Sequence, residues 1–142
     1  VIIAAESAKF DSRFLQIGIH PGGGHTWRLL ARTNYQTLRA MVLFGEVLRG
    51  PDAYRTGLAW NCVPDEKLME ESLTIAKRAS SYPKDLTKMT KAAFQQLPSI
   101  DSSDDAVLHE VAPQIKSMEW EEFSLLVQSL QKKISSKTSP QN

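Results

Sequence analysis

Five residues at the start, VIIAA (Val1–Ala5), set the tightest constraint on what this chain can fold into. An apolar run of that length reads as a buried strand of the parallel kind, which needs neighbours on both sides. The rest of the sequence supplies almost none. One further short strand is predicted over Leu58–Val63. A core strand with so few partners predicts a chain that begins in the middle of a domain.

The remainder of the chain is mostly helical in pattern. Glu6–Leu15 is polar and reads as a loop with a brief extended piece; Gln16–Gly24 reads as a turn-rich connector. Leu38, Met41, Val42 and Leu48 recur at helical spacing, predicting a helix from Tyr35 to Leu48 that Gly50-Pro51 stops. Asp52–Gly57 predicts a helical turn. Pro64-Asp65 opens a helix reaching about Ser81, with Asp65 as its N-cap and Glu66 suited to the helix dipole. Further helices are predicted over Lys84–Gln96, from Ser103 with Val107, Val111, Ile115 and Met118 on its buried face, and over Trp120–Ile134. The last has the cleanest stripe, Phe123, Leu126, Val127, Leu130 and Ile134. The chain thus changes character near Pro64. Residues 1–64 are a turn-rich α/β piece, residues 65–134 a helical region whose apolar faces need a partner, and residues 135–142 a polar tail expected to be disordered.

Composition excludes several classes. With 142 residues, 42% hydrophobic and 23% charged, the chain matches an ordinary globular domain. Seventeen basic and sixteen acidic residues leave a net charge of +1, which argues against a broad surface for nucleic acid. No apolar run approaches the roughly 20 residues of a membrane span. The single cysteine, Cys62, has no partner for an internal disulfide, and its apolar context suggests an inert thiol. No His/Cys/Asp spacing suggests a metal site.

The motif with most chemical potential is "PGGGHTWR", Pro21–Arg28. It lacks the lysine and hydroxyl of a P-loop and the third glycine of a dinucleotide turn. Taken alone, it is an ordinary change of direction, or a turn whose backbone N–H groups face a polar ligand that glycine allows to approach closely.

The surrounding order makes it more specific. "VIIAAESAKF", "IGIHPGGGHTWRL" and "AMVLFGEVLRGPDAYRTGLAWNCVP" together resemble the crotonase (enoyl-CoA hydratase/isomerase) superfamily. The second matches that family's L-G-x-x-P-G-x-G-x-T-x-R-L turn. In the third, Gly45, Asp52, Ala53, Gly57, Leu58 and Pro64 fall in register without a gap. The resemblance implies an α/β fold, here a fragment of the crotonase-like ββα superhelix, followed by a helical C-terminal region that drives trimer formation, often as dimers of trimers. It implies an acyl-CoA substrate of fatty acid metabolism, with coenzyme A entering as part of the substrate and no separate cofactor. It also implies family chains about twice as long, so the missing N-terminal half of the same protein is an expected partner. That half would carry the two backbone N–H groups that bind the thioester carbonyl and stabilise the enolate, and the first of two catalytic glutamates.

The second glutamate should lie in this chain, in the pattern A-x-F-x-x-P-E-x-x-x-G. Here "AKFDSRFLQIG" has Ala8 and Phe10 in place, but Arg13 for the proline and Phe14 for the glutamate. Phenylalanine cannot transfer a proton, so a two-glutamate hydratase mechanism is not expected. His20 and His25 flank the turn that lines the family's acyl pocket. Each is either an acid or base suited to neutral pH or a packing histidine. Asp11 reads as solvated or turn-forming, Glu6 as structural, and Arg28 as one half of a structural ion pair. By the same resemblance Phe14, Ile19, Pro21, Gly22 and Gly23 are candidate acyl-pocket residues, or plain core where apolar. Lys132 and Lys133 match the basic pair, one of which meets the CoA phosphates in the family; a lysine near a helix C-terminus is also favoured by the dipole alone.

The resulting expectation is an acyl-CoA lyase or isomerase working through an enolate, with these residues alone inactive. The alternative is a catalytically silent scaffold or assembly subunit on the same fold. Neither nucleic acid nor membrane is an expected partner, and the expected compartment is the cytoplasm, or an organelle matrix in a eukaryote.

Overall fold

The apolar opening finds a parallel partner near the far end of the α/β piece. In a computed structural model that describes residues 1–137, β1 (Ile3–Ala5) pairs with β4 (Asn61–Val63). Ile3 stands opposite Asn61, Ala4 opposite Cys62 and Ala5 opposite Val63. The Trp60 N–H donates to the Ile2 carbonyl at 2.8 Å and the Glu6 N–H to the Val63 carbonyl at 2.9 Å, extending the ladder at both ends. Parallel strands cannot be joined by a tight turn. The crossover contains β2 (Lys9–Phe10), α1 (His25–Leu30), α2 (Tyr35–Leu43), β3 (Leu48–Arg49) and α3 (Gly50–Arg55). β2 and β3 form a second, antiparallel pair, with Phe10 opposite Leu48.

Leu48 therefore belongs to a strand and not to the helix its spacing predicts. α2 ends at Leu43 because Gly45, at φ +73°, enters the left-handed region that glycine alone adopts without strain, and the Glu46 N–H turns back to the Ala40 carbonyl. The chain is then free to extend as β3. Gly50-Pro51 does not stop a helix; it starts α3. Proline in a first turn forfeits no helical hydrogen bond, and the Asp52 carboxylate accepts the Arg49 N–H at 3.1 Å.

Two small apolar clusters make the core. Ala4, Ala53 and Ala59 form one; Leu29, Met41 and Val42 form the other; Phe10 and Leu58 touch both. The alanines let α3 sit close to β1. Gly50 marks the tightest point: a Cβ there would lie 2.1 Å from the Ala5 carbonyl oxygen and 2.9 Å from the Cys62 sulfur.

Asp65 does not cap its own helix. Its carboxylate accepts the Ser7 N–H at 3.0 Å, which ties the exit of β4 to the exit of β1; hydrogen bonding to the Ser7 side chain, and then to its backbone N–H, holds the Asp65 carboxyl below its ordinary pKa. Residues Asp65–Lys67 make a 3-10 turn instead, and α4 runs from Leu68 to Ser80.

The chain divides into two compact units, Val1–Lys77 and Arg78–Asn142, with the division inside α4. The second unit contains α5 (Lys84–Gln96), with the bounds read from sequence, α6 (Ser103–Met118) and α7 (Glu121–Lys137). The Ser102 hydroxyl caps α6 by accepting the Asp105 N–H at 3.1 Å. α7 continues three residues past Ile134; the rest of the expected tail, residues 138–142, lies outside the described residues. The apolar stripes of α6 and α7 stay largely open, with Ile115 at 55% and Leu130 at 57% exposure.

Replacing Gly50 with alanine drives a methyl group into backbone that cannot yield without breaking the β1–β4 ladder. The expected loss is about 3 kcal/mol, the upper range for overpacking, read as a lower urea midpoint; an unchanged midpoint would mean that α3 can slide away from β1.

Candidate functional site

Extended backbone alternates its side chains, so beyond β2 the residue that shares Phe10's inward face is Ser12. Ser12 is buried, at 2% exposure, and its hydroxyl lies 2.8 Å from Nε2 of His25. Asp11 and Arg13 fall on the other side and pair with each other. The chain then turns through a 3-10 segment, Leu15–Ile17, closed by Gly18 in the left-handed conformation. This brings Phe14 against the His25 ring, with centroids 4.9 Å apart and planes tilted by 51°.

The glycine turn delivers His25 to that position. Gly23 and Gly24 have φ of +61° and +77°, consecutive left-handed residues that a side chain would strain. The His25 N–H is bonded to the Gly22 carbonyl at 3.1 Å, so this amide is engaged within the turn. Arg28, one helical turn later, donates to the Gly23 carbonyl at 2.7 Å. Its guanidinium secures the turn through a carbonyl, not through the carboxylate partner expected from sequence.

The product is an open groove of about 590 Å³ whose walls include Asp11, Ser12, Gly22, Gly23, His25 and Arg28. Its base is shared with the apolar core at Met41 and Leu58. The imidazole is half-buried, held at one nitrogen by a buried hydroxyl and on one side by an aromatic ring. Such a group can accept and return a proton beside an apolar ligand. Of the two roles expected for Asp11, solvated carboxylate or turn former, the first does not fit: its side chain is 18% exposed, and among the described residues Oδ1 is buried without a hydrogen-bond partner.

The other sequence candidates separate. Gly22 and Gly23 line the groove with His25; Phe14 packs behind the imidazole; Ile19 and Pro21 do not line it. His20 is exposed, and its Nδ1–H donates to the Pro21 carbonyl at 2.7 Å. Lys132 and Lys133 are exposed on α7, in the second unit. Ser12 escaped the sequence reading. Its signal was the period-two alternation from Phe10, together with the rule that a buried hydroxyl has a partner.

Alternatives are weaker. A larger open depression of about 730 Å³ lies between the starts of α5 and α7, but its acids, Asp85, Glu121 and Glu122, are exposed and it holds no imidazole. Burial raises the pKa of the Cys62 thiol, with Glu6 and Asp65 adding to the effect, so it is a poor nucleophile. Among the described residues no group of three His, Cys, Asp or Glu could hold a metal ion, and no helix is long and apolar enough to cross a membrane.

Comparison with known proteins gives one consistent likeness. The family model for enoyl-CoA hydratase/isomerase matches residues 1–132. The probable enoyl-CoA hydratase EchA14 of Mycobacterium tuberculosis is 35% identical over 130 residues, covering 87% of this chain and 50% of that protein. The 1,2-epoxyphenylacetyl-CoA isomerase of Escherichia coli is 31% identical over 83 residues, 58% of this chain and 32% of that one. The crystal structure of an enoyl-CoA hydratase from Bacillus anthracis superposes with a TM-score of 0.83 at 23% identity, covering 92% of this chain and 50% of the other. The fold is therefore shared, and the chain spans about half the length of the EchA14 protein it matches.

The turn's glycines can be told apart by substitution. A Cβ on Gly22 meets nothing within 4 Å and its φ is ordinary, so Gly22→Ala is expected to change stability by no more than about 0.5 kcal/mol. Gly23→Ala has equal space but a positive φ, and is expected to cost about 1–2 kcal/mol. Urea titration of the two variants side by side checks this; equal midpoints would remove the backbone argument for Gly23.

Proposed function

This chain belongs to the enoyl-CoA hydratase/isomerase family, and from that premise we propose that it forms part of a lyase or isomerase acting on an acyl-CoA thioester, with His25 as the proton carrier. The observation that carries the reading is the imidazole itself. It stands on the wall of the groove, 2.8 Å from the buried Ser12 hydroxyl, with its ring against Phe14, the residue in the place of the family's second glutamate.

The chemistry follows from the thioester. Its carbonyl makes the adjacent carbon acidic, because the charge left on deprotonation spreads onto oxygen. Two backbone N–H groups aimed at that oxygen stabilise the enolate. In this reading those donors come from family sequence not represented in these 142 residues, which are inactive alone. A single carrier suits an isomerase: the imidazole takes a proton from one carbon and returns it to another, with no net gain or loss. Adding water across a double bond also needs a group to activate the water, so a lyase reaction calls on a second residue. Gly22 and Gly23 border the acyl chain, with Phe14 packed behind the imidazole. Lys132 or Lys133 meets the CoA phosphates, and the open apolar faces of the helical unit are covered in a homotrimer or dimer of trimers.

Phe14 also favours a second reading, a silent subunit that binds a CoA thioester or assembles with active relatives without turnover. The deciding experiment uses the whole protein, assayed for loss of a conjugated enoyl-CoA and for migration of a double bond in an unconjugated one. His25→Gln should lower kcat by about 10²–10⁴-fold, the range for a positioned acid or base, with thioester affinity little changed. Full activity of that variant overturns the role of His25. Thioester binding by wild type without turnover of either substrate establishes the silent reading.

A further inference from the structure

Resting on the reading of His25 as proton carrier, we propose that Ser12 is a positioning residue that decides which imidazole nitrogen meets the substrate: Ser12 occupies Nε2, and proton exchange takes place at Nδ1. Both nitrogens of an imidazole can do this chemistry, and which one does is set by the bond the other makes. Nε2 lies 2.8 Å from the Ser12 hydroxyl. That hydroxyl is fixed in place, because Ser12 is 2% exposed on the segment that leaves β2. Among the described residues Nδ1 has no hydrogen-bond partner, and His25 lines the groove.

Two further contacts keep the ring from turning over. Phe14 lies against it at 4.9 Å between centroids, and the His25 N–H is bonded to the Gly22 carbonyl, which fixes the backbone from which the ring projects. Rotating the ring to present Nε2 to the groove would leave a buried hydroxyl unpaired, which is unfavourable. The hydroxyl also suits every stage of the exchange. With the neutral ring as base, Nε2–H donates to the Ser12 oxygen and the Nδ1 lone pair takes the proton from carbon. The imidazolium keeps the same Nε2–H bond, and Nδ1–H then delivers its proton to the second carbon. No proton passes through Ser12, so it is not itself a catalytic residue.

The test is a double-mutant cycle on the whole protein together with a nitrogen signal. Ser12→Ala should lower kcat by about 10- to 100-fold, the effect of misplacing a reacting group, with little change in KM. In a His25→Gln background it should have no further effect. Ser12→Thr, which keeps the hydroxyl, should recover part of the loss. With selective 15N-histidine labelling of wild type, adding butyryl-CoA should move the His25 Nδ1 resonance and leave Nε2 nearly still. This signal needs no variant that might misfold. Equal losses from Ser12→Ala in both backgrounds, or a ligand shift at Nε2, overturns the assignment. If His25→Gln abolishes turnover while Ser12→Ala leaves kcat intact, Ser12 loses its role and the function proposed for His25 stands.

Discussion

The first unit depends on the parallel register of β1 with β4. A parallel pair obliges the intervening chain to leave the sheet and come back. Everything chemical in this unit lies on that excursion: the loop after β2, the glycine turn and α1. Closure is tight where α3 returns. Ala4, Ala53 and Ala59 leave no bulk between helix and strand, and Gly50 touches the Ala5 carbonyl with no room for a side chain. The Asp65–Ser7 bond then locks the two exits together. Small residues supply this closure by proximity, not by buried area, so the core is made of two modest clusters bridged by Phe10 and Leu58.

The groove inherits its rigidity from the same excursion. Phe10 packs against both clusters, and Ser12, itself buried, comes next on the same face, so the hydroxyl that holds His25 is anchored at the core. From the other direction, consecutive left-handed glycines and the Arg28–Gly23 bond set where α1 begins, and His25 is its first residue. Imidazole and hydroxyl thus meet from separate, independently braced segments. That is the arrangement a proton carrier needs, because its geometry survives without help from a ligand.

Legibility in the sequence tracks the range of the forces involved. The opening strand, α5 and the start of α6 are dictated by local apolar pattern or a local cap, and the order of glycines and prolines around the turn points to the family. Leu48 and Asp65 mislead for one reason. Each has a locally satisfying role, helix face or N-cap, that loses to a partner far along the chain, Phe10 in one case and Ser7 in the other. Ser12 goes unnoticed because its importance lies in a bond to His25, invisible until the turn closes. His20 and His25 look equivalent beside the glycines; only the fold separates an exposed ring bonded to its neighbour's carbonyl from one braced at the groove.

Phe14 gains a physical meaning from this geometry. An aromatic ring there can neither give nor take a proton, which by itself points to lost chemistry. Yet the ring is placed where it restricts the imidazole of His25, and a flexible carboxylate side chain could not provide that flat apolar surface. Position 14 packs, and the histidine at the end of the glycine turn is held both by that packing and by the Ser12 hydroxyl. The Ser12–His25 bond joins that packing to a buried hydroxyl, which needs a partner to offset its desolvation.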